Sequence, residues 1–252
     1  MAGPPVASAV RYGASGPVRN LVRAAVAAAA LLGAPAIAAA QTPVIAALGD
    51  SLTQGYGLAP GEGLVPQLRE WLAARGADVE IVNAGVSGDT SAGGLSRLDW
   101  TLTPEVGGLI VALGGNDLLR GLDPAVTRGN LDQLLERASA REVPILLAGM
   151  TAPGNFGARY KADFDAIYPD LAERHGTLLL DDLLAPLTSI ADRREALRRY
   201  MQPDGVHPNA QGVARIVEAL GPAVLELIAR MEAAGQSPEA QKPGENATAA
   251  PR

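Results

Sequence analysis

The sequence predicts an α/β domain in which a parallel sheet is covered by helices on both faces. Three observations point there. Between residue 41 and about residue 232, short β-rich apolar runs alternate with stretches of helical spacing, and such alternation implies parallel strands joined by helical crossovers. The runs are too apolar for a sheet with one wet face. Glycine and small polar residues gather directly after the runs, and the carboxyl ends of parallel strands are where such sheets bind ligands.

The predicted strands are Val44–Leu48, Val79–Val82, Leu109–Leu113, Ile145–Met150 and Thr177–Leu180. The predicted helices each carry one apolar face. Leu64–Ala74 has Leu64, Leu68, Trp71 and Leu72; Pro124–Arg141 has Val126, Leu131, Leu134 and Leu135. Ala158–His175 has Phe164, Ile167 and Leu171, and Ala210–Met231 has Val213, Ile216, Val217, Leu220, Val224 and Ile228. The segment Asp182–Pro203 is less regular, with a short helix expected around Arg193–Tyr200. Residues 233–252 have no aliphatic side chain larger than alanine and read as a disordered tail.

The N-terminus reads as an export signal. Arg11, Arg19 and Arg23 precede an apolar run from Ala24 to Ile37, which leads into Ala38-Ala39-Ala40-Gln41. This is a charged, then apolar, then small-residue pattern. The run is short for a spanning helix, which needs roughly 20 residues. Residues 1–40 are therefore expected to be a signal peptide cleaved near Ala40, with residues 41–232 as the working domain in the periplasm or outside the cell. No stable membrane insertion is expected after processing.

Charge and composition exclude several classes. Net charge is −6; without the three leader arginines it is 18 − 27 = −9. An acidic body with no basic stripe is a poor match for nucleic acid. There is no cysteine, which removes disulfides, thiolate metal sites and a cysteine nucleophile. No long exposed apolar stripe is apparent, which favours a monomer.

The sequence holds two histidines. His175, at a helix end before Gly176, reads as part of a helix stop. His207 lies in Asp204-Gly205-Val206-His207-Pro208, a loop before the last helix. An aspartate three residues ahead, across a glycine turn, can fold back onto the imidazole, fix its tautomer and leave Nε2 free as a base. A pair that merely stabilises the loop fits this spacing equally well. Ser51, in Gly49-Asp50-Ser51-Leu52, follows the first strand, where serine is also a common helix cap. The elbow pattern G-x-S-x-G of α/β-hydrolases is absent. Asn83–Thr90 and Gly114-Gly115-Asn116-Asp117 add glycine turns and a side-chain amide after the second and third strands. These suit oxyanion stabilisation and equally fit ordinary strand-to-helix turns, where Gly, Asn and Asp are expected.

Together these blocks resemble the SGNH, or GDSL, hydrolases: Gly49-Asp50-Ser51-Leu52, Gly88, Gly114-Gly115-Asn116-Asp117 and Asp204-Gly205-Val206-His207-Pro208. Flanking residues, including Ser87–Ser91, Gly94–Leu98, Leu118–Gly121, Tyr160 and Phe164–Pro169, look like the periplasmic acyl-CoA thioesterase, lysophospholipase and arylesterase subgroup. The resemblance covers roughly residues 43–230. It implies a flavodoxin-like three-layer α/β/α sandwich with five parallel strands. It implies Ser51 as nucleophile, His207 as general base and acid, and Asp204 as orienting carboxylate. The oxyanion donors would be the Ser51 and Gly88 backbone N–H groups and the Asn116 side chain. It also implies a small acyl ester or thioester substrate, with no metal and no cofactor. One departure follows the fourth strand: Thr151–Gly157 stands where relatives tend to carry an arginine or leucine and a second proline, in a loop that walls the acyl pocket. The alternatives are carbohydrate O-deacetylation with the same chemistry, or a non-catalytic binding module, which predicts at least one broken block.

Overall fold

Parallel strands cannot be joined by tight hairpins, so each successive pair needs a crossover, and helices supply one between every two consecutive strands. The computed structural model describes residues 42–235. In order they form β1 (Val44–Gly49), α1 (Ser51–Gln54), α2 (Leu64–Ala73), β2 (Glu80–Gly85), α3 (Ser91–Ser96), α4 (Leu98–Thr101), β3 (Gly108–Ala112), α5 (Gly115–Leu119), α6 (Pro124–Ser139), β4 (Ile145–Ala148), α7 (Ala158–Asp165), α8 (Ile167–His175), β5 (Leu178–Leu180), α9 (Ala185–Thr188), α10 (Arg193–Tyr200) and α11 (Ala210–Gly235). The strand order is β2-β1-β3-β4-β5, with every pairing parallel. This is the flavodoxin-like order, whose direction reverses beside β1 and opens a crevice at that strand's carboxyl end.

Alternation along the strands divides the core into two layers. Ile45 and Ala47 of β1 face a cluster with Leu68 and Leu72 of α2 and Val217, Leu220 and Val224 of α11. Ala46 and Leu48 face the opposite cluster, with Leu131, Leu134 and Leu135 of α6 and Leu171 of α8. The three-layer sandwich expected from the sequence is therefore present. β2 departs from the doubly covered pattern. It is an edge strand in which only Ile81 is buried, and Val82 is 40% exposed.

Local departures have local causes. The single helix predicted over Ala158–His175 is two, meeting at Ala166. Pro169 has no N–H to donate to the carbonyl four residues back, so one continuous helix loses a bond there. In α6 the core stripe passes through Thr127, not Val126, which is 52% exposed; Thr127 stands four residues ahead of Leu131. α11 extends to Gly235, past the expected domain end at 232, as the helix-forming Ala233 and Ala234 allow. The predicted leader and the remainder of the predicted tail lie outside the described residues. Among the described residues no helix is long and apolar enough to cross a membrane.

Helix packing sets opposite expectations for one substitution at two places. Gly221 of α11 lies against Trp71, whose ring atoms come within 2.4 Å of where a Cβ would stand. That ring is also clamped by the Arg75 guanidinium 3.5 Å above it. Gly129 of α6 has open space instead. Alanine is favoured over glycine in a helix by about 1 kcal/mol. Gly129→Ala should therefore raise the urea midpoint, and Gly221→Ala should lower it because the clash outweighs propensity. A higher midpoint for Gly221→Ala would contradict the tight α2–α11 contact.

Candidate active site

The site is built where β1, β2 and β3 end. α1 begins immediately after β1, capped by Asp50, whose Oδ1 accepts the Leu52 N–H at 3.0 Å. Small residues let this helix lie directly on the sheet edge. A Cβ on Gly85 would stand 2.2 Å from the Gln54 nitrogen, and one on Gly49 would stand 2.0 Å from Thr53 Oγ1. Ser51 is thus the first residue of a short helix, where backbone N–H groups have no intrahelical acceptor. Its side chain is not the helix cap; Asp50 has that role.

His207 reaches Ser51 from the far end of the chain. Its Nε2 lies 2.9 Å from Ser51 Oγ, and its Nδ1 lies 2.7 Å from Asp204 Oδ2. An ionised carboxylate only accepts, so Nδ1 carries the proton, and Nε2 is left to accept the Ser51 hydroxyl. Asp204 Oδ1 also accepts the Val206 and His207 N–H groups, at 2.9 and 3.0 Å. Gly205 permits this tight return with φ +68°. The imidazole hydrogen bond, followed by the two backbone donors, holds the Asp204 carboxyl at about 2, well below its ordinary value.

The loop has supports that the sequence reading did not single out. The Gln202 N–H donates to the His207 carbonyl, and its side-chain amide donates to the carbonyls of Tyr56 and Pro208. Gln202 therefore ties the histidine loop to the loop after α1. The Tyr56 ring lies 4.7 Å from the imidazole, tilted by 40°. Asn209 caps α11 by accepting the Gly212 N–H and donates to the carbonyls of Arg199 and Met201. A polar residue just before a helix signals such a cap, but nothing in the sequence ties Gln202 to Tyr56.

Asn116 and Gly88 approach from β3 and β2. The Asn116 amide donates to Asp50 Oδ2 at 3.2 Å. Burial raises the Asp50 carboxyl above its ordinary value, although the hydrogen bonds from Leu52 and Asn116 and the nearby His207 work against it. Asp117, the next residue, points the other way. It is fully buried and accepts the Ser91 N–H and hydroxyl and the Thr127 hydroxyl. This network locks α5 to α3 and α6, so Asn116 sits on an anchored helix. Gly88 stands in the turn after β2 with φ +81°. Its carbonyl accepts from Arg120 at 2.7 Å, so the helix that carries Asn116 also holds the Gly88 turn. No hydrogen bond joins Gly88 to Ser51. Arg97 braces the strand ends themselves, donating to the Gly49 and Ala84 carbonyls and pairing with Asp89 at 2.6 Å.

Ser51, Asn116 and His207 open into one cavity of about 620 Å³, lined further by Leu118, Met150, Phe156, Leu184 and Leu197. The divergent loop after β4 contributes Thr151, Ala152, Pro153, Asn155 and Phe156 to its wall. Gly88 is not part of the wall. Among the described residues no group of three or more His, Cys, Asp or Glu side chains is arranged to hold a metal. His175 is remote from this cavity: it bonds Asp132 of α6 at 2.7 Å, and Gly176 behind it ends α8 in the left-handed conformation.

Similarity to known proteins follows the same residues. The model of the GDSL-like lipase/acylhydrolase family matches residues 47–215. Esterase TesA of Pseudomonas aeruginosa is 38% identical over 192 residues, covering 76% of this chain and 91% of that protein. Thioesterase 1/protease 1/lysophospholipase L1 of Escherichia coli K12 is 37% identical over 173 residues, covering 68% of this chain and 77% of that protein. The crystal structure of AlinE4, an SGNH-hydrolase family esterase, aligns with a TM-score of 0.60 at 46% identity, covering 74% of this chain and 96% of that one. With this match over most of the domain, the chain belongs to the GDSL-like lipase/acylhydrolase family.

Proposed function

We propose that this protein hydrolyses carboxylic ester and thioester bonds of small acyl substrates through an acyl-enzyme on Ser51. One observation carries the reading: an unbroken run of hydrogen bonds from the Ser51 hydroxyl through His207 to Asp204, at the mouth of a large, mostly apolar cavity. His207 Nε2 takes the hydroxyl proton as Ser51 Oγ attacks the acyl carbonyl. The Ser51 and Gly88 N–H groups and the Asn116 amide hold the oxyanion. The imidazolium then gives its proton to the leaving alcohol or thiol, and water repeats the cycle on the acyl-enzyme. Asp204 keeps the imidazole in the productive tautomer. The names of the relatives, an esterase and a thioesterase/lysophospholipase, support the substrate class, and the leucine-rich wall favours an acyl chain over a bare acetyl group. Export through the N-terminal leader, followed by action as a soluble monomer in the periplasm or outside the cell, completes the reading.

Ser51→Ala should lower kcat/KM for a p-nitrophenyl ester by at least about 10⁴-fold, because members of such a triad act as a unit. Activity within about tenfold of wild type would exclude Ser51 as nucleophile. Asn116→Ala should cost about 10²–10³ in kcat; a change confined to KM would remove the amide from the oxyanion site. His207→Ala should cost more than Asp204→Asn, since the backbone also braces the loop. Equal losses would contradict that order.

Asp204 also makes a pH-dependent contribution to stability. A carboxyl depressed in the folded state stabilises fully above its unfolded value, about 3.9, and loses that contribution as pH falls. The difference in urea midpoint between wild type and Asp204→Asn should therefore be present at neutral pH and vanish as pH falls through about 2. A difference that persists unchanged below that pH would separate the loop's stability from the carboxylate.

A further inference from the structure

We propose that α10 forms a subsite for a phosphate carried by the acyl substrate, with Arg193, Arg194 and Arg198 as its cations. This deepens the acyl-hydrolase reading above and rests on it. α10 reads RREALRRY, four arginines against one glutamate, 4 − 1 = +3, in a chain of net charge −6. Every other arginine of the described residues places its guanidinium on a carboxylate or a backbone carbonyl. Arg193, Arg194 and Arg198 alone among them do neither, and all three lie on this one helix.

Helix stability accounts for Arg198, which sits in the last turn where the dipole favours a cation, but not for the other two. Arg193 and Arg194 occupy the first turn, where the positive end of the helix dipole disfavours cations. Asp192 caps the helix through the Arg194 and Glu195 N–H groups without forming an ion pair with either arginine. Arg193, with Ala196 and Leu197, lines the cavity that holds Ser51 and His207. Arg194 and Arg198, four residues apart, share an adjoining helix face. The carboxylates in the same wall are committed elsewhere: Asp50 to Leu52 and Asn116, and Asp182 to the Leu184 N–H. Arg193 is thus an uncompensated cation in a mostly apolar wall. An acyl chain has no use for it, whereas guanidinium groups bind phosphate with paired, charge-assisted hydrogen bonds. A nucleotide thioester and a lysophospholipid headgroup both carry that chemistry.

The test compares kcat/KM of the full protein on dodecanoyl-coenzyme A, on lauroyl lysophosphatidylcholine and on p-nitrophenyl dodecanoate. Arg193→Gln should lower the ratio of phosphate-bearing to uncharged substrate by about tenfold, as loss of one charge-assisted contact would. The triple change to Gln should lower it further, and Arg193→Lys should retain most of it. Added salt should depress the wild-type rate on the thioester and leave the triple variant less sensitive, because exposed charges are screened. A fall confined to the thioester assigns the subsite to a nucleotide phosphate, and one confined to the lysophospholipid assigns it to a headgroup. Both ratios staying within about twofold of wild type would overturn the subsite. Failure of wild type to cleave p-nitrophenyl dodecanoate would instead overturn the ester-hydrolase reading beneath it.

Discussion

The hydrogen bond between Ser51 and His207 joins residues 156 positions apart, and no local preference brings them together. Sheet order does most of it. β1 lies inside the sheet, flanked by β2 and β3, so its carboxyl end is the place where two neighbouring loops also arrive. α11 does the rest. It packs on α2 through Gly221 and Trp71, and its Asn209 cap fixes where the preceding loop must end. The 204–208 loop is thereby held over α1 by packing outside the site. A shift of about 1 Å in such a geometry can cost two orders of magnitude in rate, which gives the tight glycine contacts around Gly49, Gly85 and Gly221 a functional consequence as well as a structural one.

Adjacent polar residues divide their work between site and scaffold. Asp50 caps α1 and takes the Asn116 amide, while Ser51 beside it faces His207. Asn116 opens to the cavity, while Asp117 is buried and satisfied by Ser91 and Thr127. A buried carboxylate without those donors would be costly; with them it becomes the anchor that keeps a five-residue helix rigid. Arg120 extends the same helix to the Gly88 turn. The segments that carry the groups proposed to stabilise an oxyanion are therefore joined to one another by the Asn116–Asp50 and Arg120–Gly88 hydrogen bonds.

Much of this was legible in the sequence because it depends on short-range pattern. Continuous β-rich apolar runs located the strands, helical spacing located the long helices, and Asp204-Gly205-Val206-His207 contains its own return turn. What stayed illegible depends on contacts distant in sequence. The bond from Gln202 to Tyr56 crosses 146 positions, and nothing in either neighbourhood marks it. Val126 and Thr127 are adjacent, and only packing against the Asp117 network decides which turns inward. The exposure of Val82 follows from β2 being an edge strand, a property of sheet order rather than of its own residues. The charge of α10 disappears in a count over the whole acidic chain and becomes visible only once partners are assigned arginine by arginine.

The proposed reaction requires Ser51 to be an activated nucleophile. A serine-reactive phosphonate tests this directly, with the adduct located by peptide mass spectrometry. Activation by His207 predicts one adduct, on Ser51, and loss of labelling in His207→Ala while the variant remains folded. Folded wild-type protein that takes up no label, or takes it on a different serine, would contradict Ser51 as the nucleophile.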